Sequence, residues 1–207
     1  MEDKRKIELS DGTVLYVTKP NVLQTQKADW EYSKVFNEAI RSGIPPRTVM
    51  IETLRKNNIW TSEDEQLERV LRASVEQQMV RLAELRTKDK VDAKQLEGIV
   101  GDIRVAREAL MAHMQKLLSY LQHTAENKAD DSRLYYLVSL CTENAEGKLA
   151  WGSYDEFRRE TNGEKLTTCV TQFMLFQAGV GESIEDINDV LPENNVIIDT
   201  DSLEDPK

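Results

Sequence analysis

Residues 92–124 read DAKQLEGIVGDIRVAREALMAHMQKLLSYLQHT, and this stretch decides the fold. Its apolar positions recur alternately three and four residues apart, at Leu96, Ile99, Ile103, Ala106, Leu110, His113, Leu117 and Tyr120. This is the spacing of a coiled-coil seam, with His113 as a polar insertion. One helix of this length measures about 50 Å, which is more than a compact domain of this size comfortably buries.

A second helical stripe precedes this stretch. Ser62 and Glu65 have the spacing of a capping box, and apolar residues continue at helical spacing to Leu85, before a polar break at 86–90. The two stripes predict a long antiparallel, coiled-coil-like helical hairpin. Pairing within one chain and pairing between two chains as a homo-oligomer both remain open. We predict that the pairing residues are Leu96, Ile99, Ile103, Leu110 and Leu117.

Two glycines interrupt the second stripe. Gly98 and Gly101 each cost about 1 kcal/mol relative to alanine inside a helix. They predict the close approach of another backbone, and the alternatives are a kink or a later helix start near Asp102.

The N-terminal region has the period of strands. Residues 6–17 read KIELSDGTVLYV, and Asp11-Gly12 tolerates the positive φ angles of a type I′ turn. The pattern predicts a small β-hairpin over about residues 5–18. Two strands alone are marginal in water, so this hairpin has to pack on helices or pair with another chain.

The rest of the chain has helical patterns. Two further helices are predicted over about 25–42 and from about Pro46 to Asn57. The apolar run at 134–141 is consistent with a buried helix or a buried strand, and helix is favoured. Ser153 and Glu156 form another capping-box pattern, for a helix ending at Asn162-Gly163, and a last helix follows.

Nine glycines and five prolines leave long uninterrupted stretches, so the sequence predicts a mainly α fold. We expect an N-terminal hairpin with helices over 1–61 and the long helical hairpin over 62–128. A small C-terminal helical subdomain is expected over 129–181, followed by an acidic, flexible tail over 182–207.

The tail carries most of the net charge of −10: nine carboxylates against Lys207 make −8 over residues 182–207. A nearly neutral body with such a tail disfavours nucleic acid as a partner, since phosphate binding requires many basic residues. One interpretation of the tail is a solvated end that is mobile in the isolated protein. The other is an interaction segment, in which an added strand docks on a partner protein through Val196, Ile197 and Ile198.

The sequence contains no pattern of catalytic, metal-ligating or cofactor-binding residues. His113, His123, Cys141 and Cys169 lack the paired spacing of zinc ligands, and no glycine-rich phosphate loop is present. We therefore expect neither an enzyme nor a cofactor. The mean hydropathy of −0.54 and the interrupted apolar runs disfavour a membrane span, and the N-terminus does not have the pattern of a leader, so a cytoplasmic location is expected.

The three tryptophans are core residues or partner-binding anchors, and core is the more frequent role. Trp151 is the best candidate for an anchor because it lies between a turn and a helix cap. We predict a partner surface formed by Trp151, Tyr154 and Phe157.

Two stretches resemble a known family. The Asp-Gly hairpin followed by KADWEYSKVFNEAIRSGIPPRTVMIETLRKNNIW, at 27–60, looks like tail assembly chaperones and related tail or baseplate morphogenesis proteins of tailed bacteriophages. The run YYLVSLCTENAEGKLAWGSYDEFRRE, at 135–160, is similar to a recurring apolar helix, acidic turn and acidic-aromatic helix. The resemblance covers about two fifths of the chain.

The resemblance implies a helical, non-enzymatic assembly factor that binds other tail or baseplate proteins in the host cytoplasm. The alternative is a structural coiled-coil component of the tail or baseplate that stays in the virion. Either function acts through protein binding.

Overall fold

Helices make up most of the described chain, which in this computed structural model comprises residues 4–87 and 93–179. The mainly α fold with a β-hairpin at the N-terminus is confirmed. In chain order the elements are β1 (Lys4–Glu8), β2 (Val14–Thr18), α1 (Val22–Arg41), α2 (Arg47–Lys56), α3 (Ser62–Arg86), α4 (Ala93–Leu121), α5 (Ala125–Cys141), β3 (Thr142–Asn144), α6 (Tyr154–Arg158) and α7 (Gly163–Gln177).

The chain divides into two units, which are described separately. A terminal unit combines Met1–Tyr32 with Asp131–Lys207, and a central unit comprises Ser33–Asp130. The terminal unit therefore contains the sheet, α6 and α7, whereas α2, α3 and α4 belong to the central unit. The boundaries fall inside α1 and α5.

The N-terminal hairpin forms, but its turn differs from the predicted one. β1 and β2 pair antiparallel, with Glu8 opposite Val14. Gly12 has a φ of 81°, whereas Asp11 is not in the left-handed region, and the Gly12 N–H donates to the Leu9 carbonyl. A type I′ turn needs positive φ at both central residues, so that prediction is wrong; the turn ends in a left-handed glycine instead.

A third strand, which the sequence did not predict, completes the sheet. β3 directly follows α5 and pairs antiparallel with β2, with Leu15 opposite Asn144. The Asn144 side-chain oxygen then accepts hydrogen bonds from the backbone N–H groups of Glu146 and Lys148, at 2.9 and 3.0 Å. This turn lets residues after β3 lie back along it.

The core of the terminal unit lies on one face of the sheet. Side chains of β1 and β2 alternate between buried and more exposed positions, as expected for a sheet with one covered face. The covering residues come from α5, α6 and α7, and residues 134–141 are helical, as favoured from the sequence. The buried cluster includes Ile7, Leu15, Val17, Val138, Cys141, Phe157, Cys169 and Phe173.

Two helix ends lie away from their predicted positions. The capping box of α3 uses Thr61 and Asp64, one residue before the predicted pair. Asn162 accepts a hydrogen bond from the Lys165 N–H and so begins α7, whereas α6 already ends at Arg158. At α3 a neighbouring residue of similar capping ability takes the predicted role, whereas Asn162 caps the start of a helix instead of ending one.

The central unit contains the antiparallel helical hairpin. His113 Nε2 lies 2.8 Å from the carbonyl oxygen of Asp64, so the end of α4 lies beside the start of α3. The two helices pair within the chain, through residues that recur at seven-residue spacing. Buried at this seam are Val75 and Leu82 of α3 and Ile103, Leu110 and Leu117 of α4, whereas Leu96 and Ile99 are half-buried.

No other described part of the chain lies close to the two glycines of α4. A Cβ atom built at Gly98 or Gly101 would have no described atom within 4 Å, apart from the neighbouring helix backbone. The predicted contact is therefore wrong. The alternative of a helix start near Asp102 is also wrong, because α4 begins at Ala93.

We predict that Gly98→Ala and Gly101→Ala each raise the free energy of unfolding by about 0.5–1 kcal/mol, because alanine loses less backbone entropy in a helix. Urea denaturation measures the change. Gly43→Ala is the control and should destabilise the chain, since Gly43 has a φ of 79°. A loss of stability in the α4 variants would contradict the open space that this structure shows around Gly98 and Gly101.

We predict that Ile103→Asp with Leu110→Asp lowers the free energy of unfolding by several kcal/mol, because both side chains are about 5% exposed or less and a buried carboxylate lacks a partner there. Val105→Asp is the matched control, since Val105 lies on the same helix and is 61% exposed. Thermal and urea denaturation of the double variant should separate it clearly from this control. Equal stability of the two proteins would contradict the buried seam.

Candidate protein-interaction surface

The first half of α1 is fixed to α5 in the terminal unit through one face. The Gln24 side-chain amide donates to the Leu140 carbonyl at 2.9 Å, and Arg133 forms an ion pair with Asp29 at 2.7 Å. Ala28, between these contacts, is fully buried. This face of α1 is therefore occupied by contacts within the terminal unit.

The opposite face of α1 exposes large apolar side chains. Trp30 is 82% exposed and Leu23 is 60% exposed. Leu23 and Trp30 are seven residues apart, so they lie on the same side of the helix, and the exposed Lys27 lies between them. We call Leu23, Lys27 and Trp30 the α1 surface.

Such a surface has the composition of a binding site for another protein. Tryptophan is enriched among the residues that dominate binding energy at protein interfaces, because it buries a large area with few rotatable bonds. Lys27, between the two apolar residues, adds a positive charge to the surface. The α1 surface is therefore the best candidate for a functional site among the described residues.

The predicted partner surface at Trp151, Tyr154 and Phe157 faces inward instead. The structure brings the three rings together, with centroid distances of 4.8 Å for Trp151–Phe157 and 6.1 Å for Tyr154–Phe157. However, Trp151 and Phe157 are each only 5% exposed, and Tyr154 is half-buried with its hydroxyl 3.1 Å from the Ser132 hydroxyl. These rings belong to the core, which corrects their assignment to an exposed surface.

Trp151 is held by a polar network. Its indole N–H donates to Glu160 Oε2 at 3.1 Å, and the Lys165 ammonium donates to the same oxygen at 2.9 Å. The ammonium also lies 4.5 Å from the centroid of the Trp151 ring. The Lys165 hydrogen bond, with others from the Asn162 N–H and the Trp151 indole, lowers the pKa of Glu160 to about 2.

The remaining predicted site residues fall into two groups. Of the residues predicted to pair the long helices, Ile103, Leu110 and Leu117 are buried on α4, whereas Leu96 and Ile99 are half-buried there. Val196, Ile197 and Ile198 lie outside the described residues. The third tryptophan, Trp60, is 2% exposed and lies against His113, with ring centroids 5.1 Å apart.

Trp30 was not singled out from the sequence, although the pattern contained a signal. The apolar face predicted for α1 runs through Ala28, Tyr32 and Val35, and Trp30 is about 140–160° away from these residues at 100° per residue. A tryptophan on the polar side of an amphipathic helix is an exception that marks an exposed aromatic.

The described thiols are poor nucleophiles. Cys141 and Cys169 are both free and fully buried, and burial raises the pKa of each thiol to about 11. At neutral pH both are protonated, whereas nucleophilic chemistry requires the thiolate.

The described residues contain neither a metal-binding cluster nor a membrane-spanning helix. No group of three or more His, Cys, Asp or Glu residues is placed to hold a metal ion in this part of the chain. None of the helices in the ranges 4–87 and 93–179 is long and apolar enough to cross a membrane.

No family model, curated protein or solved structure matches this chain.

We predict that Glu160→Gln makes stability less dependent on pH between about 2 and 4.5. The pKa of Glu160 is lowered on folding, so its contribution is present above pH 4.5, the ordinary value, and is lost as the pH falls towards 2. At pH 7 the variant should lose about 1–3 kcal/mol, because charge-assisted hydrogen bonds are removed. Urea denaturation at a series of pH values tests this.

The control for this experiment is Glu146→Gln, since Glu146 is exposed and pairs only with the exposed Lys148 among the described ion pairs. It should leave the pH profile of stability unchanged. An unchanged profile for Glu160→Gln as well would contradict the role assigned to the network.

Proposed function

We propose that this protein is a non-enzymatic assembly factor that binds other proteins during morphogenesis of a bacteriophage tail. The observation that supports protein binding is the α1 surface, where Trp30 is 82% exposed while the opposite face of the helix is fixed to α5. The setting in tail assembly rests on the resemblance of 27–60 and 135–160 to tail assembly chaperones. Trp30 lies inside the first of these stretches.

The proposed partner is another tail or baseplate protein with an exposed apolar patch. An assembly factor keeps such a patch covered until the partner joins the growing tail, and then dissociates. Its binding site has to be available in the isolated protein, and an exposed tryptophan on a helix that is fixed through its other face satisfies this requirement.

The second candidate is a structural component that remains in the virion. It is favoured by the exposed apolar residues of the α3–α4 hairpin, where Val80 is 51% exposed, Val100 is 47% exposed and Val105 is 61% exposed. A permanent interface would bury such residues. The two proposals differ in whether the protein is found in finished particles, which mass spectrometry of purified virions decides.

We predict that Trp30→Ala weakens binding to the cognate tail protein by about tenfold or more, because truncating a central tryptophan at an interface costs about 2 kcal/mol or more. The test co-expresses the full chain with each tail and baseplate protein of the same phage and measures the affinity of the complex by calorimetry. The melting temperature of the variant should stay unchanged, since the ring contributes little to the core.

The control is Leu149→Ala, which truncates another exposed apolar residue, 43% exposed, on the segment that returns along β3 after its turn. It should leave the affinity unchanged. Equal affinities for Trp30→Ala and the wild-type chain would exclude the α1 surface as the binding site. The absence of any complex with every tail and baseplate protein would reject the proposed function itself.

A further inference from the structure

β1 lies at the edge of the sheet, where some of its backbone N–H and C=O groups point away from the paired strand. The strand order is β1-β2-β3, so β1 pairs with one strand only among the described residues. The Leu9 N–H donates to the Thr13 carbonyl, and the alternation of an antiparallel ladder then directs the N–H and C=O groups of Arg5 and Ile7 towards β2. Those of Lys4, Lys6 and Glu8 point away from it, and an edge of this kind is a template for another strand.

A cleft of about 250 Å³ runs along this edge, between β1 and α7. Its walls include Lys6 and Ile7 of β1 and Thr168, Gln172 and Leu175 of α7. The space beside the edge is therefore open, and one of its walls offers an apolar contact at Leu175.

The edge is also basic. β1 has the sequence KRKIE, which contains three cations and one carboxylate. Lys4 pairs with Glu143, whose side chain is 23% exposed, and Lys6 pairs with the exposed Glu8. Ion pairs that solvent reaches contribute little to stability. A strand rich in carboxylates would meet a favourable charge here.

The C-terminal segment of the same chain has the required chemistry and starts beside the cleft. Leu175 lies in the last turn of α7, and residues 180–207 follow the last described residue, Gly179. An extended chain advances about 3.3 Å per residue, so the segment is long enough to reach the edge. It contains the sequence VIIDTD at 196–201, within a region of net charge −8.

The alternation of side chains in the two sequences is matched. In β1, Arg5 and Ile7 are buried, and Lys4 and Lys6 are exposed. In an extended strand, Val196 and Ile198 share one face, while Asp199 and Asp201 share the other. Any register that places the two apolar residues on the covered face of the sheet therefore places both carboxylates on the face of the two lysines.

We propose that residues 196–201 bind the edge of β1 in the same chain as a fourth strand. Val196 and Ile198 then lie on the covered face of the sheet, and Asp199 and Asp201 lie beside Lys4 and Lys6. The tether raises the local concentration of the segment, so a weak contact suffices. This interaction replaces the partner protein of the sequence-based hypothesis with the chain's own sheet, and it is independent of the proposed function.

The test measures hydrogen exchange of the β1 amides in the full chain by NMR. We expect the amides of Lys6 and Glu8, which point away from β2, to be protected in the wild-type protein. Asp199→Lys with Asp201→Lys should raise their exchange rates tenfold or more. Adding Lys4→Glu and Lys6→Glu to that variant should restore protection, because the charges are again complementary.

Two controls keep the interpretation specific. Glu182→Lys with Glu185→Lys makes the same change of charge outside residues 196–201 and should leave the exchange rates within about twofold. The amides of Arg5 and Ile7, which face β2, should stay protected in every variant, which shows that the sheet remains folded.

Three results would overturn the proposal. Unprotected Lys6 and Glu8 amides in the wild-type chain would show that the edge is empty. Protection that survives the reversal of Asp199 and Asp201 would show that another segment covers the edge. Protection that increases with protein concentration would assign the added strand to a second copy.

Discussion

A sheet of three short strands cannot hold its shape in water unless one of its faces is covered, and the terminal unit is built around this requirement. Val17, at the centre of the covered face, is fully buried, and so are Val138 of α5 and Cys169 of α7. The covering helices follow the hairpin by more than a hundred residues in the chain. The fold therefore depends on an apolar contact that brings the two ends of the sequence together.

The local part of this arrangement could be predicted, because it is encoded by residues close together in sequence. Strand alternation around Asp11-Gly12 predicts the hairpin, and the three–four spacing from Leu96 to Leu117 predicts a seam on α4. Errors at this level are small and local. At the start of α3, for example, Thr61 caps the helix instead of its neighbour Ser62, since both have a hydroxyl group.

The pairing of β3 and the burial of each tryptophan could not be predicted from the local sequence, because they depend on which distant surfaces pack together. Nothing around Thr142 indicates a strand; it becomes one by pairing with β2. Trp151 and Trp30 look alike as isolated aromatics, yet Glu160 and Lys165 hold one ring in the core while the other lies in water. The sequence therefore predicted an exposed surface at a buried tryptophan, although the helical position of Trp30 already set it apart from the buried face of α1.

The antiparallel seam of the central unit also constrains how this chain can change during evolution. Val75 and Leu82 on α3, like Ile103, Leu110 and Leu117 on α4, recur every seven residues. Inserting a single residue into one helix turns every later side chain by about 100° and removes it from the seam. Paired seven-residue blocks, one in each helix, would instead keep the seam in register and change the length of the hairpin in steps of about 10 Å.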